Sequence, residues 1–295
     1  MTTTKQLKSK LEALRRQFEL LRLGKQSLLT LIDEAEIPES VYNSNAIENS
    51  TLSLKETEKI LLEMEVSKGV STRELYEAKN LARVYDYIRS KSLHFDLDRD
   101  LIVLIHQMLI GGIEDQIAGR FRKEGEYVKV GTHIAPAPEK IEGRIKEIFA
   151  EYNSNYSDYF TDRIAKFHLD FEILHPFNDG NGRMGRAIIN YQLQRLGFPV
   201  IIIRDKEKKD YYKSFTEYSN KQDFSGMSKI INLTLIESLN KRIAYLKGEN
   251  IIKLSNFIKR HQLSAPTILN AAKRQTIPAF REKGVWKISE NYLYQ

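Results

Sequence analysis

Residues 175–186 read His-Pro-Phe-Asn-Asp-Gly-Asn-Gly-Arg-Met-Gly-Arg. A base that titrates near neutral pH, a carboxylate, a glycine-rich turn and two arginines share this short stretch, with few apolar side chains among them. Helical apolar spacing runs from Thr161 to Leu174 before it and from Met184 to Leu196 after it, so the pattern predicts a loop that ends at a helix N-terminus. The first N–H groups of a helix lack intrahelical partners and carry the positive end of the dipole, which suits them to anions. On that reading the N–H groups of Gly180, Asn181 and Gly182 form a concavity for phosphate oxygens. Arg183 and Arg186 stand three apart on one helix face and reach the same polyphosphate. Asp179 suits Mg2+, which takes one or two carboxylates together with phosphate oxygens and water. His175 is the group of this stretch able to accept a proton near neutral pH. Together these residues point to transfer of a phosphate-containing group to a hydroxyl. A phosphate site without turnover uses the same residues, and a helix-start turn with solvated arginines is the plainer alternative.

The 295 residues exceed the usual single-domain size, which favours one larger domain with a small appendage. With 41% hydrophobic and 29% charged residues the composition is that of a globular protein. The absence of cysteine excludes disulfides and thiolate metal sites. No aliphatic run is long enough to span a bilayer and the first residues lack a signal-like region, so a cytoplasmic protein without membrane attachment is expected. The net charge of +7 is unevenly placed: residues 251–295 hold eight Lys or Arg against Glu282 and Glu290. Such segregation suggests a module with a polyanionic partner, or simply a solvated basic tail.

Leu7, Leu11, Leu14, Phe18 and Leu21 mark one stripe of a long first helix, which packs a core or forms a homodimer seam but is too short for a confident coiled coil. Pro38 reads as an early position of a second helix over residues 39–49. Ser53-Leu-Lys-Glu56 and Ser71-Thr-Arg-Glu74 match capping boxes, so two more helices start there. A further helix ends at Gly111-Gly112. Alternation and a turn between Tyr127 and Pro138 predict a β-hairpin in helical surroundings, and helix resumes from Pro138 to about Tyr152. Val200 to Ile203 reads as a buried extended stretch, residues 227–247 as a helix, and Gly248-Glu-Asn250 as a linker. Beyond it, helical spacing over 251–261, a helix restarted at Ser264-Ala-Pro266 and a strand-turn-strand over 277–288 describe a winged helix-turn-helix.

The stretch 175–186 resembles the motif of the Fic family, His-x-Phe-x-Asp/Glu-Gly-Asn-Gly-Arg-x-x-Arg, at every specified position. The resemblance implies a mainly α-helical core with a β-hairpin flap, and transfer of AMP from ATP, with Mg2+, to a hydroxyl of a target protein. It implies His175 as base, Asp179 as metal ligand, Gly180 to Gly182 as anion hole, Arg183 at the transferring or β-phosphate and Arg186 at the γ-phosphate. Phe177 would anchor the loop in the core. Ser44-Asn-Ala-Ile-Glu48-Asn49 resembles the family's inhibitory motif, with Glu48 pairing with Arg186 in place of the γ-phosphate and Ser44 one turn before it on the same helix face. The hairpin, Val128, Lys129, Val130, Gly131, Thr132, His133 and Ile134, takes the place of the flap that holds a target segment by β-augmentation. Tyr212 and Asn220 fall where the family places an adenine pocket.

The tail is similar to the excisionase-type DNA-binding fold, with Arg281, Gly284 and Trp286 in its closing hairpin, Lys273 and Arg274 on the groove helix, and DNA or a protein as partner. The expected organisation is an N-terminal helical region with the inhibitory helix over 1–100, a Fic core with supporting helices over 101–248, and the winged helix over 251–295. The leading function is a self-inhibited protein adenylyltransferase. A DNA-binding regulator whose body senses nucleotide without turnover is the alternative, and another transferred group or the reverse removal of AMP stays open.

Overall fold

The computed structural model describes residues 3–131 and 133–294 and is mainly α-helical, with short strands. Two compact units emerge: Ile37–Phe198 with Ile202–Lys229 and Thr3, and Thr4–Glu36 with Pro199–Ile201 and the chain from Ile230 onward. Among the described residues no helix is long and apolar enough to cross a membrane.

In the first unit, α2 (Gln26–Ile47) contributes its second half. The expectation that Pro38 starts this helix is corrected, since Pro38 lies inside it. A proline there donates no bond to the carbonyl of Glu34, a local cost of about 3 kcal/mol that tertiary burial outweighs. The capping boxes behave as their chemistry dictates. Ser53 accepts from Glu56 N and Glu56 accepts from Ser53 N ahead of α3 (Leu54–Glu58), and Ser71 accepts from Glu74 N ahead of α4 (Thr72–Lys91). Asp98 caps α5 (Arg99–Ile110), which stops at Gly111.

The hairpin forms as β1 (Lys129–Val130) and β2 (His133–Ile134), antiparallel with Val130 opposite His133. That register leaves a two-residue connection, and the φ of +57° at Gly131 suits such a turn. Thr132, assigned to the flap from the sequence, lies outside the described residues.

After α6 (Ile141–Ser154), helix α7 (Phe160–Leu174) and helix α8 (Asn181–Arg195) flank the 175–180 loop. They approach closely at Gly185, where a Cβ would collide with Glu172 and His168. Helix α8 begins at Asn181 rather than at Met184, because the glycines leave the backbone free to wind before the apolar pattern starts. Helix α9 (Lys208–Lys221) completes the unit with the start of α10 (Ser225–Leu246). Phe171, Phe177, Met184, Leu109 and Ile110 are fully buried at the centre of its core.

The second unit contains α1 (Lys5–Leu21), whose Leu11 and Phe18 are buried, the first turns of α2, most of α10 and the C-terminal segment. Residues 251–253 are not helical as the spacing suggested. They form β3 (Ile251–Lys253), since two β-branched isoleucines pair with β5 (Val285–Ser289) in the order β3-β5-β4, where β4 is Phe280–Glu282. Between β3 and β4 come α11 (Leu254–Arg260) and α12 (Ala265–Lys273). The tail's cations are partly spent: Arg281 forks onto Glu237 at 2.6 and 3.0 Å and covers the Trp286 ring, and Arg260 pairs with Glu290. Lys273 and Arg274 are exposed.

Candidate active site

The loop between α7 and α8 is shaped from inside. Phe177 stacks on His106 with centroids 3.7 Å apart, and its backbone is locked by Asn181, whose side chain accepts from Phe177 N at 3.0 Å and donates to Phe177 O at 2.8 Å. The Asn181 side chain therefore builds the loop, and only its N–H is left to face a ligand. His106 accepts the Gly119 N–H on Nδ1 at 3.0 Å, so Nε2 carries the proton and donates to the Asp179 carbonyl at 3.1 Å. Burial pushes His106 down to about 4, which keeps it neutral in this role. Arg122, also buried, donates to the carbonyls of His175 (2.8 Å), Glu126 (2.9 Å) and Pro136 (2.8 Å), joining the loop to the base of the hairpin. His133 Nε2 donates to Ile173 O at 2.9 Å from the hairpin itself.

His175 sits just past α7 in the left-handed region, φ 48° and ψ 62°, a conformation uncommon for a side-chain-bearing residue. Its Nδ1 lies 2.8 Å from the Glu172 carbonyl. A carbonyl only accepts, so Nδ1 carries the proton and Nε2 keeps its lone pair. Burial, opposed by that hydrogen bond and by Glu48, holds His175 below the ordinary imidazole value. Burial and the nearby Glu48 charge push the Glu172 carboxyl up to about 8.

The open first turn of α8 presents the N–H groups of Asn181, Gly182 and Arg183. The Gly180 N–H, expected to be free, is instead taken by Asp179 Oδ1 at 2.6 Å, at a glycine whose φ is +79°. Arg183 Nη2 reaches the same oxygen at 3.1 Å, and Arg73 from α4 bonds Oδ2. Burial alone would raise Asp179, but Arg183, the Gly180 N–H and Arg73 hold it below the usual carboxylate range.

Arg186, only 4% exposed, donates through Nε to Ser44 Oγ at 3.0 Å and through Nη2 to Ser44 O and Glu48 Oε1, both at 2.8 Å. Its Nη1 lies 3.3 Å from the Tyr211 hydroxyl. Glu48 is the first residue beyond α2 rather than inside it, with Asn49 at φ +68° turning the chain away. A Cβ on Gly182 would overlap Glu48 Oε1, so the carboxylate rests against the helix N-terminus in space that only glycine leaves. From α9, the Tyr212 hydroxyl reaches Ile47 O at 3.3 Å.

These groups line one cleft of about 410 Å³, a size that accepts a nucleotide. It gathers Glu48, His175, Asp179, Gly180, Asn181, Gly182, Arg183, Arg186, Tyr212 and Val130 of the hairpin. Asn220 does not line it: two turns beyond Tyr212, it is solvent-exposed. Arg73, Glu77, His106, Arg122 and Glu172 were missed by sequence reasoning, since each is a single residue on another helix or loop with no local pattern to mark it. Among the described residues no cluster of three or more His, Cys, Asp or Glu side chains is gathered as a protein-only metal cage requires. The single carboxylate of Asp179 beside an anion hole fits Mg2+, which draws its other ligands from phosphate and water.

A helical body that aims an unprotonated imidazole nitrogen, an open helix N-terminus and buried arginines into one cleft offers groups that suit a polyphosphate. Residues 96–193 match the model of the Fic/DOC family. A protein adenylyltransferase Fic from Nematostella vectensis is 31% identical over 221 residues, covering 73% of this chain and 50% of its own. The protein adenylyltransferase fic-1 of Caenorhabditis elegans is 27% identical over 243 residues, covering 81% and 44%. The chain thus spans about half the length of these curated relatives. The solved structure of Fic-1 from C. elegans superposes with a TM-score of 0.67 at 26% identity, covering 80% of this chain and 71% of that one. A Fic domain containing signaling protein from Bacteroides thetaiotaomicron shares the fold, with a TM-score of 0.74 at 22% identity, covering 82% and 98%. Residues 96–193 of this chain are thus a Fic domain.

Proposed function

We propose that the protein is a self-inhibited adenylyltransferase that moves AMP from ATP to a hydroxyl side chain of a target protein and of itself. One observation carries the reading: Glu48 holds Arg186 at 2.8 Å in the same cleft where His175 keeps Nε2 free for a proton. The kinship with proteins named adenylyltransferases supports it.

The target segment adds to the hairpin edge and brings its hydroxyl to the cleft. The hydroxyl oxygen forms a bond to the α-phosphorus, the bond from that phosphorus to the bridging oxygen breaks, and pyrophosphate leaves. His175 Nε2 takes the hydroxyl proton. The first-turn N–H groups of α8 stabilise charge on the phosphates, as do Arg183 and Arg186. Mg2+, held by Asp179, would neutralise phosphate charge. Tyr212 forms part of the wall at which the adenine would rest. Glu48 inhibits by occupying, with Arg186, the ground that the terminal phosphate needs, so that ATP binds in an unproductive pose.

Incubation with labelled ATP and Mg2+ tests the scheme. Self-labelling is expected to be slow in the native chain and to rise about 10- to 100-fold in Glu48→Gly, the value of one charge-assisted contact. It should fall by at least about 100-fold when His175→Ala is added. If Glu48→Gly stays unlabelled with every nucleotide offered, the reading fails.

A further inference from the structure

We propose that Arg73 is a further ligand of the polyphosphate, extending the anion site onto α4; the proposal rests on the adenylyltransferase reading above. Asp179 offers two oxygens with different neighbours. Oδ1 is engaged by the Gly180 N–H at 2.6 Å and by Arg183 at 3.1 Å, whereas Oδ2 is bonded by Arg73 Nη2. Oδ1 is thus bound into the helix start, and Oδ2 would be the oxygen left to hold a divalent cation in exchange for the guanidinium.

Arg73, once displaced, would stay at the cleft. Its Nε is held at 3.0 Å by Glu77 Oε1, one turn along the same helix. That carboxylate oxygen also lies 3.2 Å from Arg183 Nη1. One carboxylate therefore sets the spacing of two guanidinium groups, one from α4 and one from α8. Arg183 is 4% exposed and fixed, whereas Arg73 is 53% exposed and has room to turn about its Nε anchor. Once off Oδ2, its two terminal nitrogens face whatever accompanies the cation on Asp179, and in a nucleotide site those atoms are phosphate oxygens. A planar fork suits two such oxygens in a way an ammonium does not. A guanidinium that merely caps Asp179 in the resting protein makes the opposite prediction, since its removal would ease entry of the cation and tighten nucleotide binding.

Calorimetric titration of the full chain carrying Glu48→Gly, with Mg·ATP and with adenosine as a phosphate-free probe, separates the two. Adding Arg73→Gln is expected to raise Kd for Mg·ATP about 10-fold and leave adenosine unchanged, with Arg73→Lys in between. An unchanged or lower Kd for Mg·ATP overturns the proposal, as does an equal loss for adenosine, which would report a deformed cleft. A Glu48→Gly protein that binds neither probe removes the adenylyltransferase reading and this one with it. One that binds Mg·ATP but ignores Arg73 removes only the latter.

Discussion

His106 shows what a single residue away from the motif contributes. Its neutral ring stacks on Phe177, donates to the Asp179 carbonyl through Nε2 and accepts the Gly119 N–H on Nδ1, a bond that protonation of Nδ1 would break. A histidine whose value falls to about 4 in the folded chain, against about 6.5 unfolded, binds fewer protons folded than unfolded between those pH values. Its contribution is complete above about pH 6.5 and is lost as pH falls toward 4, by roughly 3 kcal/mol. Urea unfolding across that range should show the native chain losing this much more stability than His106→Gln, and parallel curves would contradict the assignment. The twelve residues from His175 to Arg186 were legible because their chemistry is contiguous. Arg73, Glu77, His106 and Arg122 were not, because each reaches the site by tertiary folding and looks ordinary in its own segment.

At the scale of elements, capping chemistry marked the starts of α3 and α4 from the sequence, since Ser and Glu three apart satisfy open N–H groups wherever they occur. Two other elements were decided by burial rather than by local signals. Proline inside α2 overrode the expected start, and strand pairing captured Ile251 and Ile252 from a helical pattern. The hairpin was legible as alternation, but what fastens it was not. Arg122 holds carbonyls of residues 126, 136 and 175 at once, so Arg122→Ala leaves several buried acceptors unpaired. The expected loss is about 2–4 kcal/mol in denaturant unfolding. Hydrogen exchange should quicken in residues 127–137; unchanged protection there would show that the hairpin is held by something else.

At the scale of the whole molecule, buried ion pairs join the tail to α10 and α10 to the first turns of α2 within the second unit. Within the second unit, Arg242 is 1% exposed and bonds Asp33 at 2.5 Å and Glu36 at 2.6 Å, Lys241 bridges Glu36 and Glu282, and Arg281 meets Glu237. Desolvation opposes ionisation of Glu36, but Arg242 and Lys241 keep its carboxyl below the ordinary range. Removing one member strands its partners, so Arg242→Ala should cost about 3–5 kcal/mol, and Arg242→Met combined with Glu36→Gln clearly less. Thermal unfolding that ranks them the other way would refute a mutual dependence. Arg186 carries the same lesson into the cleft. Three of its four contacts, to Ser44 Oγ, Ser44 O and the Tyr211 hydroxyl, do not involve Glu48. The segment that sets Glu48 against this arginine is also its mount: neutralising Glu48 leaves the guanidinium aimed, whereas cutting away the chain through residue 49 removes Glu48 and both Ser44 acceptors together. On the proposed function, partial activation by truncation and full activation by a point change would be two readings of the same contact set.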